Sequence, residues 1–536
     1  MQDSRTIPQH QTPIGDWLRA FPPRRWQLLL AAACLAGVYL AGVSAKWWPT
    51  PDSAMLMGLG RSLAEGKGYR FNGQTNVHVT PGVPLALAGL RILLGPADWA
   101  PNLLLALCGL GAVAMAYLVT ARLSDRRLAL AVALCTGSSY VFFHNAHRVL
   151  TDIPFTLLFW GTMYACLRFG KGSRWWLVLA ALLAGAGIAV RVPAVVPLGV
   201  LAGAVALGGG LIRPWRRRLA AAATILAATA AACAGFYLLA RAATGKTPVY
   251  LFYMDQVVPL GPARVLRQTA DALVKMPSLL AEILTAQDGA AAAVLTGLPA
   301  LLLVVLGAVN FWRTGRRDLA GLVVLVPMAM ALTCGEGRIR VRYLLPVHAL
   351  LVYAALEGLL WAVRRLRAAR STSAKPTRYL VAVTVLTGIV IASNLPRLAR
   401  DAFYYSYLSR TPRYYQAIRE GGHSELFAAA DVLRRHCPPD GLVAAPGNMA
   451  SLLHYLSERV IVDFPGGRGQ TAADARSIID FVVPDEKLLV VVLDLTAGSP
   501  AFRGSLRAAL DDPARFQPLY AGEHYRLYGR VPAGGG

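Results

Sequence analysis

The chain has 536 residues, of which 54 are Lys or Arg and 29 are Asp or Glu, for a formal charge of +25. Hydrophobic residues make up 55% and charged residues 15%, against about 25% charged in ordinary soluble domains. That balance excludes a disordered chain, a disulfide scaffold and a string of soluble domains, and leaves a polytopic membrane protein.

The positive charge does not describe a nucleic-acid surface. The basic residues fall in short clusters between long apolar runs, as membrane topology requires. The seven cysteines make no CxxC or Cys/His spacing, so no structural metal is expected.

A spanning helix needs about 20 apolar residues. Residues 1–25 are expected to be a cytoplasmic segment, because Arg19, Arg24 and Arg25 precede the first apolar run. Eleven runs are expected as spans: 26–45, 101–121, 128–144, 153–169, 174–191, 193–212, 219–241, 290–312, 319–334, 343–363 and 379–396. The first has no small-residue cleavage site before Trp47 and is expected to be retained. Trp47 and Trp48 at its outer end suit an interfacial aromatic belt. Asp52 follows Pro51 and precedes an expected helix over 53–65, for which it is a natural N-cap. The stretch 81–95 is too short to cross, carries Arg91, and is expected to lie in the outer interface.

With that stretch not crossing, five alternate loops fall on one side. They begin at Arg122, Arg168, Arg213, Arg313 and Arg364, and together hold nineteen basic residues against two acids, Asp125 and Asp318. This is a positive-inside pattern. The outer side then receives 46–100, 144–152, the long loop 242–289, 335–342 and everything after about 397.

The membrane region 26–396 is followed by an expected linker, 397–419, an outer domain, 420–531, and a Gly-rich flexible tail, 532–536. Residues 424–436 have helical periodicity. LVAAP, RVIVDF, LLVVVLDL and HYRLYGRV have the composition of short strands. A small α/β domain is expected.

Several features recur in a fixed order. An Asp follows the first span, and an amphipathic helix then ends in Gly66-Lys67-Gly68-Tyr69. Thr80-Pro81-Gly82-Val83-Pro84, Arg148-Val149-Leu150-Thr151-Asp152 and Arg342-Tyr343-Leu344-Leu345-Pro346 come after it. This arrangement resembles the GT-C membrane glycosyltransferases, in the branch of the protein O-mannosyltransferases and the aminoarabinose and lipopolysaccharide-core sugar transferases. The resemblance implies an α-helical polytopic membrane protein of the GT-C fold, with about 11 transmembrane helices plus interfacial helices and a C-terminal α/β extracytoplasmic domain.

In that family the acid of the first outer loop is the catalytic carboxylate, so the resemblance implies that Asp52 is the general base. Asp152 matches the acid of the second outer loop. Its structural reading is the N-cap of a helix opening at Ile153-Pro154. Many relatives carry Lys before the Pro pair of the interface segment. This chain has Thr80 there, and the lipid-phosphate contact passes to His78 or to an arginine. Arg148, Arg191, Arg338, Arg340 and Arg342 all lie at outer helix ends, where charge is costly unless used. Each alone reads as snorkelling. Together they suit a phosphate clamp, since Arg presents a planar fork of donors. Arg342 comes first, then Arg340 and Arg338. His144 and His147 flank the second loop and are expected to be structural.

The expected reaction moves a sugar from a polyprenyl-phosphate donor to an acceptor hydroxyl of a glycan, lipid or protein. It takes place on the extracytoplasmic side of a bacterial plasma membrane, in one inverting displacement. No cofactor besides the donor lipid is expected; a divalent cation shared by Asp52 and Asp152 is left open, although relatives that use monophosphate donors generally need none. The alternatives are a lipid-linked sugar flippase and a non-catalytic membrane scaffold. Mid-span regions nearly free of charge argue against the first. The Asp–helix–Pro arrangement with outer arginines argues against the second.

Overall fold

The computed structural model describes residues 24–245, 261–334, 340–368, 377–411, 413–417, 423–464, 488–494 and 500–531. In chain order these give α1 (Arg25–Ala41), α2 (Pro51–Ala64), the hairpin β1 (Arg70–Phe71) and β2 (Gln74–Thr75), α3 (Gly82–Leu94) and α4 (Trp99–Leu123). Next come α5 (Arg126–Gly137), α6 (Tyr140–Ala146), α7 (Asp152–Phe169), α8 (Trp175–Val190), α9 (Val195–Leu207), α10 (Trp215–Thr244) and α11 (Pro262–Thr285). Then α12 (Ala290–Arg313), α13 (Arg317–Cys334), a 3-10 turn at Val341–Val347, α14 (His348–Ala368), α15 (Thr377–Ser406) and α16 (Tyr414–Ala417) follow. The C-terminal part adds α17 (His423–His436), β3 (Leu442–Pro446), α18 (Gly447–Ser457), β4 (Val460–Phe464), β5 (Leu488–Asp494), α19 (Pro500–Leu510), β6 (Phe516–Ala521) and β7 (Tyr525–Arg530).

The chain forms two compact units. The first takes the chain up to Val43, Val77–Val83 and Asn102–Phe403; the second takes Ser44–Asn76, Pro84–Pro101 and the chain from Tyr404.

The first unit is helical. Its core joins Phe155, Phe159 and Trp160 of α7 to Ala180, Ala184 and Ile188 of α8 and Leu198 of α9. Small residues let helices meet closely, as packing in lipid favours. A methyl group at Gly307 of α12 would overlap the carbonyl oxygen of Ala354 in α14, and one at Gly358 would overlap that of Leu303. Exposed Leu182, Leu207 and Leu295 stud the outside. Among the described residues five helices are long and apolar enough to cross a membrane, or six if the bent pair α5–α6 counts as one span. Shorter apolar helices, among them α1 and α8, cover further expected runs. The chain is a multi-pass membrane protein.

Two expected elements differ from what is observed. The run 128–144 is two helices bent by 62°, with Ser138 and Ser139 between them. The long outer loop 242–289 contains α11, which buries Ala272, Met276, Leu279, Leu280 and Ile283 on one face.

In the second unit, five strands form one sheet in the order β4-β3-β5-β7-β6. β3 is parallel to β4 and β5, whereas β7 is antiparallel to β5 and β6. Leu493, Phe502, Leu506, Phe516 and Tyr528 close its core against α19. β3 lies between β4 and β5 and is almost wholly buried, which explains its unbroken apolar sequence.

Candidate active site

Within the first unit, Asp152 opens α7 with Thr151 at the N-cap. The cap position therefore falls one residue before Asp152, and the Asp152 carboxylate stands at the positive end of the helix dipole. It pairs with Arg191, the residue that ends α8 in an extended conformation. The two side chains are only 4% and 13% exposed. The Arg191 guanidinium carbon lies 5.4 Å from the centre of the Tyr343 ring, and that of Arg342 lies 5.3 Å from the same ring. Both guanidiniums lie within cation–π range of the one ring, and Asp152 pairs with the Arg191 guanidinium.

Tyr343 and Arg342 stand on the 3-10 turn, which is anchored by buried Leu344, Leu345, Pro346 and Val347. Arg340 takes the N-cap position of that turn and is exposed. The interface segment reaches the same neighbourhood. A Cβ on Gly82 would sit 2.7 Å from the carbonyl oxygen of Ala189, two residues before Arg191. Thr80 in that segment is buried and His78 is exposed. Arg148 is half-buried between α6 and α7. Its neighbour His147 is buried, with its ring nitrogens each 2.8 Å from a carbonyl oxygen, of Phe143 and of Tyr39. His144 Nδ1 is 2.7 Å from Asp401. Arg338 lies outside the described residues.

In the second unit, Thr50 rather than Asp52 caps α2: its Oγ1 accepts the Ser53 amide hydrogen at 3.1 Å, and Pro51 takes the first helical position. Asp52 stands exposed in the first turn. The N-cap expectation for Asp52 is thus corrected. Pro has no N–H to satisfy and suits the first helical position, which places the cap one residue earlier. Trp47 and Trp48 do not form an exposed belt. They are 3% and 9% exposed, with Trp47 edge-on to Tyr455 at 5.0 Å and Trp48 edge-on to Tyr405 at 5.9 Å.

The α/β module holds α2 in place. Arg61 pairs with Glu458 at 2.7 Å and lies over Tyr455 at 4.9 Å. At the hairpin, His454 Nε2 accepts the Asn72 amide hydrogen at 2.9 Å, and Nδ1 donates to the Arg459 carbonyl at 2.7 Å. Asn72 also exchanges two bonds with the backbone of Ile461, at 2.6 and 2.7 Å. Burial holds the His454 ring below its ordinary pKa, and the nearby Arg61 adds to this against the pull of the Arg459 carbonyl. The ring is therefore neutral at pH 7, as its acceptor role demands. Asn72, Arg61 and His454 were not among the expected functional residues. The Asn72-Gly73 pair, with φ of 55° and 74°, carries a hairpin signature that marks the first of them.

Residues 78–239 match the model of a family described as dolichyl-phosphate-mannose-protein mannosyltransferase. No curated protein sequence matches the chain. Two solved structures are similar across nearly all of it. One is ArnT from Cupriavidus metallidurans bound to undecaprenyl phosphate, at 13% identity and a TM-score of 0.60, over 94% of this chain and 98% of that one. The other is the archaeal oligosaccharyltransferase AglB from Archaeoglobus fulgidus, in complex with an inhibitory peptide and a dolichol-phosphate. It matches at 14% identity and a TM-score of 0.55, over 97% of this chain and 75% of that one.

Proposed function

We propose that this chain is a membrane glycosyltransferase of the GT-C superfamily, and that it transfers a sugar from a polyprenyl-phosphate donor to an acceptor hydroxyl on the extracytoplasmic face of a bacterial plasma membrane. The observation that carries this reading is the cationic cluster of Arg191 and Arg342 on Tyr343, with Asp152 as internal counter-ion, beside the Thr80–Gly82 segment. Guanidinium forks gathered at helix ends are suited to a lipid phosphate. The undecaprenyl phosphate bound to ArnT and the dolichol-phosphate bound to AglB support the same donor class.

The acceptor oxygen attacks the anomeric carbon opposite the phosphate. As the new carbon–oxygen bond forms, the bond to the phosphate oxygen breaks and its electron pair leaves with the phosphate. Asp52 takes the acceptor proton. A positioned base is worth about 10²–10⁴-fold, and charge stabilisation of the leaving phosphate supplies much of the rest. One displacement inverts the anomeric centre, so no covalent enzyme intermediate is required. Asp152 acts through Arg191, which it orients. Arg342 is the foremost phosphate contact, with Arg340, Arg148 and His78 supporting it.

The test is a purified-protein assay with a labelled polyprenyl-phosphate sugar. Release or transfer of the label supports an enzyme. Movement of intact lipid between leaflets without loss of the sugar supports a flippase and contradicts the proposal.

A further inference from the structure

The face of the first unit opposite the Arg342 turn carries charge that the transfer chemistry does not use. Helix α14 runs from that turn to Arg364 and Arg365, and its 21 residues span about 30 Å at the helical rise, the thickness of a bilayer's hydrocarbon core. The loops on this face hold nineteen basic residues against Asp125 and Asp318, and Glu357 of α14 is a third acid. Residues 1–23 add Asp3 and Asp16 against Arg5 and Arg19 and leave the sign unchanged. All three acids of the face are buried and engaged. Asp125 accepts from the Arg127 and Leu128 amides at 2.8 and 2.9 Å, and Asp318 from those of Gly210 and Leu211 at 3.2 and 2.5 Å. Glu357 lies 3.8 Å from Arg316 and 3.9 Å from Arg364.

At one corner of this face the arginines are held in place. The turn between α12 and α13 is closed by the Arg316 amide on the Phe311 carbonyl at 2.8 Å, and Arg316 Nη1 donates to the Tyr353 hydroxyl at 2.9 Å, which ties the turn to α14. Outside these contacts, Arg313 and Arg365 lie 5.8 and 5.4 Å from the centre of the Trp361 ring, and Arg317 lies 5.2 Å from that of Trp312. All three arginines are exposed, and among the described residues none has a carboxylate partner. A cation–π contact engages the charge of a guanidinium and leaves its in-plane N–H donors for a phosphate. It also holds a side chain that would otherwise move freely, which lowers the cost of ordering it on binding. Leu298, Leu302 and Val305 of α12 are exposed at a spacing that sets them on one side of the helix, a lane suited to an acyl chain. Trp312 above them is 58% exposed, as suits a ring at head-group depth.

We propose that this corner binds an acidic phospholipid, with the head-group phosphate on Arg313, Arg317 and Arg365 and an acyl chain along α12. A zwitterionic lipid carries the same phosphate but brings an amine cation to a face already crowded with arginine, so the net-anionic head group is selected. The inference stands apart from the transferase reading, because it assigns a second lipid about one hydrocarbon thickness away from the donor.

The test is native mass spectrometry of the full-length protein in detergent, titrated with dioleoyl phosphatidylglycerol and, separately, with dioleoyl phosphatidylcholine, which has the same acyl chains. Phosphatidylglycerol is expected to bind in preference, and to stay bound when undecaprenyl phosphate is added. Arg313→Gln, Arg317→Gln and Arg365→Gln together should weaken its binding about 10²-fold, at about fivefold per basic residue beside an anionic head group. Arg126→Gln, Arg174→Gln and Arg213→Gln together remove the same charge from elsewhere on the face and should leave binding within about threefold. On the parent protein, with no substitution, a photoactivatable phosphatidylglycerol should label 311–317 and 361–366. Equal binding of the two phospholipids, equal weakening by the two triple variants, labelling confined to other segments, or displacement by undecaprenyl phosphate would overturn the inference. A chain that shows this lipid preference but never transfers sugar contradicts the transferase reading alone, and a chain that transfers sugar without the preference contradicts the phospholipid site alone.

Discussion

Asp152 and Arg191 form an ion pair in a place where neither side chain meets much water, with 4% and 13% exposure. A buried pair of this kind adds little net stability over an apolar pair, but breaking it strands a charge, at a cost of about 3–5 kcal/mol. Arg191→Ala should therefore lower the thermal stability of the purified protein markedly. The double replacement with Asp152→Ala should recover part of the loss. Strictly additive losses in thermal unfolding would contradict the pairing.

Arg342 should act on donor rather than on acceptor. Arg342→Ala is expected to raise the apparent KM for the polyprenyl-phosphate donor by about tenfold or more, as loss of a charge-assisted contact predicts. Arg342→Lys should recover only part of it, since an ammonium lacks the planar fork. An unchanged donor KM in Arg342→Ala would remove this residue from the phosphate site.

His454 links folding of the α/β module to pH. Its folded-state pKa lies below the ordinary value because of burial. The sign follows directly: the contribution is fully present above the unfolded value near 6.5, and it is lost as pH falls from there towards the lower folded value. Protonation adds a hydrogen to Nε2, which then no longer accepts from Asn72. His454→Phe keeps the ring beside Phe71, 4.6 Å away in the native protein, but loses both hydrogen bonds, for about 1–3 kcal/mol. Melting temperatures between pH 7 and 5 should fall in the parent and fall less in the variant. Parallel slopes would contradict the assignment.

Gly60 sets how closely α2 approaches α3. An added methyl meets Leu87 Cβ and the Pro84 carbonyl, neither of which is the end of a flexible side chain. Gly60→Ala should cost about 1–3 kcal/mol as overpacking and should slow transfer by moving the helix that carries Asp52. Native stability together with native kcat would show that the contact yields more readily than its geometry implies.

The apolar runs exposed the helices because that signal is local. The bend between α5 and α6 escaped because a hydropathy reading counts apolar residues and not direction; Gly137-Ser138-Ser139 is its only sequence trace. The helix α11 was hidden inside an expected loop, although Ala272, Met276, Leu279, Leu280 and Ile283 follow a helical period. The cap of α2 was misplaced because Thr50 and Asp52 are both capping residues, and Pro51 between them decides the matter. Strands β3, β4, β5 and β7 announced themselves by apolar composition. Edge strand β6, with Pro518 and a largely exposed pattern, did not. The pairing of Asp152 with Arg191, and the burial of Trp47 against Tyr455, depend on residues far apart in sequence, which a single chain read in one dimension does not bring together.

The central claim is that Asp52 is the proton acceptor, and the most direct measurement is the sugar-transfer rate of Asp52→Asn beside the parent protein, with donor-lipid binding and melting temperature recorded on the same preparations. The account predicts a loss of about 10²–10⁴-fold or more in turnover with donor binding retained and the melting temperature lowered only slightly, since the side chain is exposed in the first turn and Thr50 caps the helix. Turnover within a few-fold of the parent would contradict it.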